Sequence, residues 1–351
     1  MRIDRHIALG LTLAMTVGCQ SEVKKAETAE APKAAEAPKE AAPVKAVAKS
    51  DPACIGAVGT AAPEAIELAN GVWERNGSTL TWKGGNAEGI KLGAVTDIKD
   101  GSPENIKNLE KIAAFFKVEA VDAIVVAGDS GETVEHITGV LSLLAGANVP
   151  VMTIIGNREG KTNYNTAMAE LAKTHKNVFN LNQIRRVNTQ ALDIVSLPGY
   201  HNPDYLHAED GCLYYQADVD AVAEVVKTAD SQVMLVSHGG PLMAGPEALD
   251  YTSQGQNVGD PMLTKLVQES GVKFGIFGNI HEAGGRGCDA KGTLIAQGTP
   301  SEQLFLNPGP ADSIRWPMND KTESVGMAAV MTIAGNKASY KVERMKTETA
   351  P

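Results

Sequence analysis

Residues 90–99 read Ile-Lys-Leu-Gly-Ala-Val-Thr-Asp-Ile-Lys, a mostly apolar run that stops on Asp97. A run of this length between polar stretches reads as a buried strand. The same phrase recurs along the chain. Ala123–Ala127 stops on Gly128-Asp129, and Val151–Ile155 on Gly156-Asn157-Arg158-Glu159. Val233–Ser237 leads into His238-Gly239-Gly240, and Phe274–Phe277 into Gly278-Asn279-Ile280-His281. Leu192–Leu197 is a sixth strand of this kind. Helical stretches alternate with them. Ser102-Pro103 caps 103–117, Gly146 ends 132–145, 163–175 and 218–228 follow, and Asp260-Pro261 opens a helix through 270. Short apolar strands alternating with helices predict an α/β body whose sheet is covered on both faces. Residues 64–84 predict a hairpin, Ile66–Trp73 and Ser78–Trp82 about an Asn76-Gly77 turn. Beyond 290 only strands are expected, at Thr293–Gln297, Leu304–Leu306, Met327–Ile333 and Ala338–Arg344, added antiparallel to the same body.

Ligands of open α/β sheets bind beyond the carboxyl ends of the strands. One Asp or His there is usually a cap or a turn. Charged or metal-capable residues at five such ends point to a site. Tyr200-His201-Asn202-Pro203-Asp204 also follows a strand and is a candidate lining, with His201 or His207 as a substitute ligand, the alternative being a surface loop. Gly239-Gly240-Pro241 reads as a turn. Asp97-Ile-Lys-Asp100-Gly101 lacks the alternating acids of an EF-hand. No Gly-x-Ser-x-Gly, Walker or dinucleotide fingerprint is present.

The order and spacing of these residues resemble the calcineurin-like metallophosphoesterases over roughly residues 90–310, with Asn307-Pro308-Gly309 similar to a late strand-turn of the smaller members. The resemblance implies a sandwich of two mixed β-sheets flanked by helices, and one or two divalent ions (Mn, Mg, Fe or Zn). Asp97 and His281 would hold the first metal, Asn157 and His238 the second, and Asp129 would bridge them. Two cations about 3.5–4 Å apart would bind phosphate oxygens and acidify a water that attacks phosphorus.

Three residues depart from the family pattern. Lys99 stands where a His ligates the first metal. A charged lysine about 4 Å from a dication would be repelled by roughly 8 kcal/mol at an effective dielectric of about 20. Lys99 is therefore neutral, or points away, or replaces the first metal and pairs with Asp97 and Asp129, the last being preferred. Asn279 replaces a His, leaving Asp129, Asn157, His238 and an amide oxygen, a set suited to Mg, Mn or Ca more than Zn. Arg158 replaces the His that protonates the leaving oxygen. Arginine keeps its proton, so it can fork onto phosphate but cannot be that acid. Asp129, Arg158 and Lys99 are the expected catalytic-site groups.

The chain ends carry a second message. Arg2, Arg5 and His6 precede an apolar run, Ile7–Val17, which is short of the roughly 20 residues that span a bilayer. Thr16-Val17-Gly18-Cys19 resembles a lipobox, so residues 1–18 are expected to be a lipoprotein signal peptide and Cys19 the lipidated anchor. Residues 19–52, rich in Ala, Glu, Lys and Pro, read as a disordered tether, and 53–347 as the domain. This predicts export, attachment to the cell membrane or outer membrane through the lipid on Cys19, and a domain facing periplasm or exterior. A net charge of −10 without a basic cluster outside the tether argues against nucleic acid as a partner. Cys54, Cys212 and Cys288 remain for an oxidising compartment, and Cys212–Cys288 is the favoured disulfide because both lie in loops after strands. The expected partner is a phosphorylated or anionic small molecule. Three functions stay open: a metal-dependent phosphoesterase of reduced or narrowed activity, an inactive relative that binds such a ligand, or a structural envelope protein that uses the fold as scaffold.

Overall fold

The strand Gly89–Val95 alternates its side chains between two cores. Leu92 and Ala94 enter an apolar layer shared with Met152, Ile194, Met234, Ile276 and Leu306, while Val95 faces Leu109, Ile112 and Phe116 of a helix. Residues two apart share a face of a strand, so a strand buried on both faces is apolar where it is enclosed, and Lys91 falls at its half-buried start. The first layer draws on both large sheets of the molecule; the second lies beneath the helices. This computed structural model describes residues 51–346.

One sheet has six strands in the order Lys337–Arg344, Met327–Ala334, Gly89–Val95, Ala123–Val126, Val151–Thr153 and Val178–Asn180. The last four are parallel, and Met327–Ala334 pairs antiparallel with Gly89–Val95. A second sheet has ten strands and is built around the parallel set Leu192–Leu197, Gln232–Ser237, Phe274–Ile276 and Leu304–Asn307, and Trp316–Pro317 pairs with Glu323–Ser324 in a small third sheet. Helices Pro103–Glu119, Val134–Ala145, Lys161–Thr174, Gln216–Val226 and Pro261–Ser270 cover the outer faces. The expected mixed-sheet sandwich flanked by helices is the observed fold.

Several local readings need correction. Residues 64–82 form three strands, Glu64–Leu68, Gly71–Asn76 and Thr79–Trp82, because the chain also turns before Gly71, which has φ +118°. Leu304–Asn307 runs parallel to Phe274–Ile276 on one side and antiparallel to Arg286–Cys288 on the other, so it is not wholly an antiparallel addition. The disulfide joins Cys54 to Cys212, with Cα atoms 5.8 Å apart, and Cys288 is left buried against Met243. Loop position after a strand did not decide the partner; the docking of residues 51–56 did. Cys54 and Ile55 hang from the Asp51 carbonyl, the Asp51 carboxylate pairs with Lys161, and Gly56 N–H donates to Asn182 O at 2.7 Å. Asp51, assigned above to the tether, therefore belongs to the domain. The signal peptide, Cys19 and the remaining tether lie outside the described residues. Among the described residues no helix is long and apolar enough to cross a membrane.

Candidate metal centre

Four strand-end residues hold left-handed backbone, at φ +53° for Asp97, +72° for Lys99, +57° for Asp129 and +65° for Asn279. Residues with a side chain seldom adopt such angles, and when they do they cluster where geometry is imposed from outside. Close backbone contacts impose it here. Asp97 N–H donates to Gly128 O at 3.2 Å, and Lys99 N–H to Asp129 O at 2.7 Å. The two neighbouring strand ends are thereby tied together.

Asp129 Oδ1 accepts the backbone N–H groups of Asn157 and Arg158, both at 3.1 Å. Asp97 Oδ2 accepts Thr96 Oγ1 at 2.9 Å and Asn279 N–H at 3.0 Å, and its Oδ1 meets His281 Nε2 at 3.0 Å. His238 is fully buried. Its Nδ1 lies 2.8 Å from Ala127 O, and its Nε2 lies 2.8 Å from Asn157 Oδ1 and 3.3 Å from Asp129 Oδ1. All three partners are acceptors, so both ring nitrogens carry hydrogen. Burial disfavours that cation, but Asp129 first, then Asp97 and the Ala127 carbonyl, outweigh it and hold the ring up to about 10. Burial also opposes charge on Asp97, yet His281, His238 and Lys99 keep its carboxyl well below the usual range. Glu159, beneath them, accepts Ser130 N–H at 2.5 Å and Gly156 N–H at 2.9 Å. Burial and the Asp129 charge push it up to about 8.

Ligand atoms of Asp97, Asp129 and His238 all lie within 4.8 Å of one another. An octahedral ion with bonds of about 2.1 Å separates adjacent ligand atoms by about 3 Å. The 2.8 and 3.3 Å separations around His238 Nε2 match such edges, so Asp129, Asn157, His238 and the neighbouring Asp97 fit a divalent cation. The Nδ1–H bond to Ala127 O is the outer contact that would aim Nε2 at it.

The first position is poorer. Asp97 and His281 meet there, but Lys99 does not pair with Asp97 and Asp129 as preferred above. Its Nζ lies 2.6 Å from Asp312 Oδ2 and 4.1 Å from the centre of the Trp316 ring. Asn279 donates its Nδ2 hydrogen to Tyr200 Oη at 2.7 Å, an engagement that leaves its amide oxygen free. Arg158 leaves the carboxylates and pairs with Glu132 at 2.6 Å. The segment after Leu197 does line the site. Tyr200 stands edge-on to His238, and Asn157 Nδ2 donates to Tyr205 O at 2.7 Å. His201 packs on Tyr200 and Tyr214 outside the carboxylate group, and His207 contributes its backbone N–H to Asn157 O. Asp312 and Trp316 were not foreseen. Their one signal is that they follow Asn307-Pro308-Gly309.

A profile described as calcineurin-like phosphoesterase matches residues 90–283, more than half of the chain. No curated protein matches it in sequence. One solved structure aligns with TM-score 0.52 at 12% identity, covering 74% of this chain and 100% of its own. GAP50, the anchor in the inner membrane complex of Plasmodium, aligns at 0.47 with 15% identity over 73% of this chain and 84% of its own. A dimetal phosphatase from Danio rerio aligns at 0.44 with 11% identity over 73% and 98%. At these identities the structural matches speak to fold alone; the profile match over more than half of its length means that the chain belongs to the calcineurin-like phosphoesterase family.

Proposed function

We propose that this chain is an exported lipoprotein, anchored through Cys19 to the cell membrane or outer membrane, whose domain is a one-cation phosphoester hydrolase of narrowed activity. The observation that carries the catalytic reading is the convergence of Asp97, Asp129 and His238 within 4.8 Å, with Asn157 Oδ1 2.8 Å from His238 Nε2. Three of these four donors are oxygens, which favours Mn or Mg over Zn. A divalent cation supplies charge for phosphoryl oxygens and acidifies water. Asp129 is oriented for that ion by two backbone N–H groups, Asp97 by Thr96 and Asn279, and His238 by Ala127. Arg158 sits at the rim on Glu132, where it can meet an anionic substrate but cannot protonate a leaving group. Substrates are therefore phosphorylated small molecules whose leaving oxygen needs no acid. Export is supported by the sequence before Cys19 and by the Cys54–Cys212 disulfide, which suits an oxidising compartment.

The test is metal analysis of protein purified without chelator or metal-affinity tag, followed by hydrolysis of aryl and alkyl phosphodiesters. About one equivalent of bound metal and faster aryl cleavage are expected. Equal rates on both esters would sink the leaving-group argument. A second reading, a phosphate-binding relative without turnover, is favoured by Arg158 being engaged by Glu132. Metal and phosphate binding with no ester cleaved would select it.

A further inference from the structure

The segment after Asn307-Pro308-Gly309 lies against the end of the strand that carries Asp97. Thr96 bridges Pro310, Ala311 N–H donates to Thr96 O at 3.0 Å, and Asp312 N–H donates to Asp97 O at 3.2 Å. Asp312 is thereby fixed relative to the candidate cation site, and it is fully buried. Its Oδ1 accepts Trp316 Nε1 at 2.8 Å, and its Oδ2 faces Lys99 Nζ at 2.6 Å. The latter is a charge contact rather than an aligned hydrogen bond, for Oδ2 accepts none. The Trp316 ring completes the enclosure, with Lys99 Nζ 4.1 Å and the His281 ring 4.2 Å from its centre.

Lys99 is only 6% exposed, so its side chain cannot simply turn to water. It leaves the chain two residues after Asp97, and its own N–H holds the Asp129 carbonyl. Asp97 and Asp129 are thus the carboxylates it would seek if Asp312 lost its charge, and they are the ones a cation needs.

We propose that Asp312 is a positioning residue that holds Lys99 off the cation site, so that a lysine at position 99 leaves room for a divalent ion only while it is paired with Asp312. This rests on the cation-site reading above. It makes position 99 a gate on metal loading, with Asp312 and Trp316 as its latch. Asp312→Asn keeps the acceptor for Trp316 and the backbone contacts and removes only the charge.

The experiment is titration of Mn into the wild-type chain, Asp312→Asn, Lys99→Met and the double variant Lys99→Met/Asp312→Asn, with thermal melts of each. Asp312→Asn should weaken Mn binding by about 10- to 100-fold, the range for loss of a group that supports a ligand shell. The double variant should return to near the wild-type affinity, and Lys99→Met alone should bind at least as tightly as wild type. Unchanged affinity in Asp312→Asn, or a double variant as weak as that single one, overturns the proposal. Should Asp312→Asn fail to fold, Lys99→Met still decides, since lost affinity there contradicts a gate. If only the lysine-free variants bind Mn, Lys99 blocks the site even with Asp312 in place; the latch falls and the cation site stands. If none binds Mn, the cation-site reading fails and takes the latch with it.

Discussion

At the scale of single residues, His238 couples proton, cation and stability. Its Nε2 hydrogen points at Asn157 and Asp129, where a cation would sit, so the ion must displace a proton held with a pKa of about 10. Mn affinity should rise by about tenfold per pH unit between pH 6.5 and 8.5, one proton leaving per ion bound. Flat affinity over that interval would mean that His238 is not a ligand. The metal-free protein should behave oppositely. The folded value for His238 lies above its ordinary 6.5, so its contribution is full below pH 6.5 and is lost as pH climbs toward 10. Glu159 is also raised, from 4.5 to about 8, and its contribution fades as pH rises through that window. The chelated protein should therefore melt progressively lower from pH 6.5 to 10, while the increment from added Mn grows. A melting temperature that climbs with pH in chelator would contradict both assignments. The sequence pointed to His238 by its place after a strand. The protonation state and the two acceptors on Nε2 came from residues 81 and 109 positions away.

At the scale of elements, strand ends and helices respond differently to the same substitution. A methyl group on Gly278 would overlap Thr96 Oγ1 and come within 2.8 Å of Asp97 Oδ2. Thr96 donates to that same oxygen, so Gly278→Ala should displace a ligand while costing about 1–3 kcal/mol of stability. Gly139, inside the helix Val134–Ala145, has open space around it, and Ala there should raise stability by about 1 kcal/mol with Mn affinity unchanged. Urea melts and Mn titration of both variants check the contrast, and equal effects at the two sites would refute it. The longer elements were legible because each kept one period over enough residues: Leu192–Leu197 and Pro103–Glu119 were read nearly to their ends. Val178–Asn180, Arg186–Asn188 and Arg286–Cys288 were missed. Three residues are too few for alternation to show, and those strands exist because a neighbouring edge was available to pair with.

At the scale of the whole molecule, Cys54–Cys212 closes a span of 158 residues and clips residues 51–56 to the segment that lines the site through Tyr200 and Tyr205. Cys54→Ser should lower stability by about 3–5 kcal/mol. In the native protein Cys288 should resist thiol reagents, because burial encloses it and pushes its thiol up to about 12. Peptide mapping without reductant should recover the 54–212 bridge, and a 212–288 peptide would reverse the assignment. The sequence by itself determined the class of fold and which strand ends carry Asp97, Asp129, Asn157, His238 and His281, because hydrophobic period and turn chemistry are local properties. Tertiary structure alone decided where Lys99, Arg158, Asn279 and Cys212 direct their side chains. Their partners Asp312, Glu132, Tyr200 and Cys54 stand from 26 to 213 positions away, and only sheet packing brings such charges, amides and sulfurs into contact.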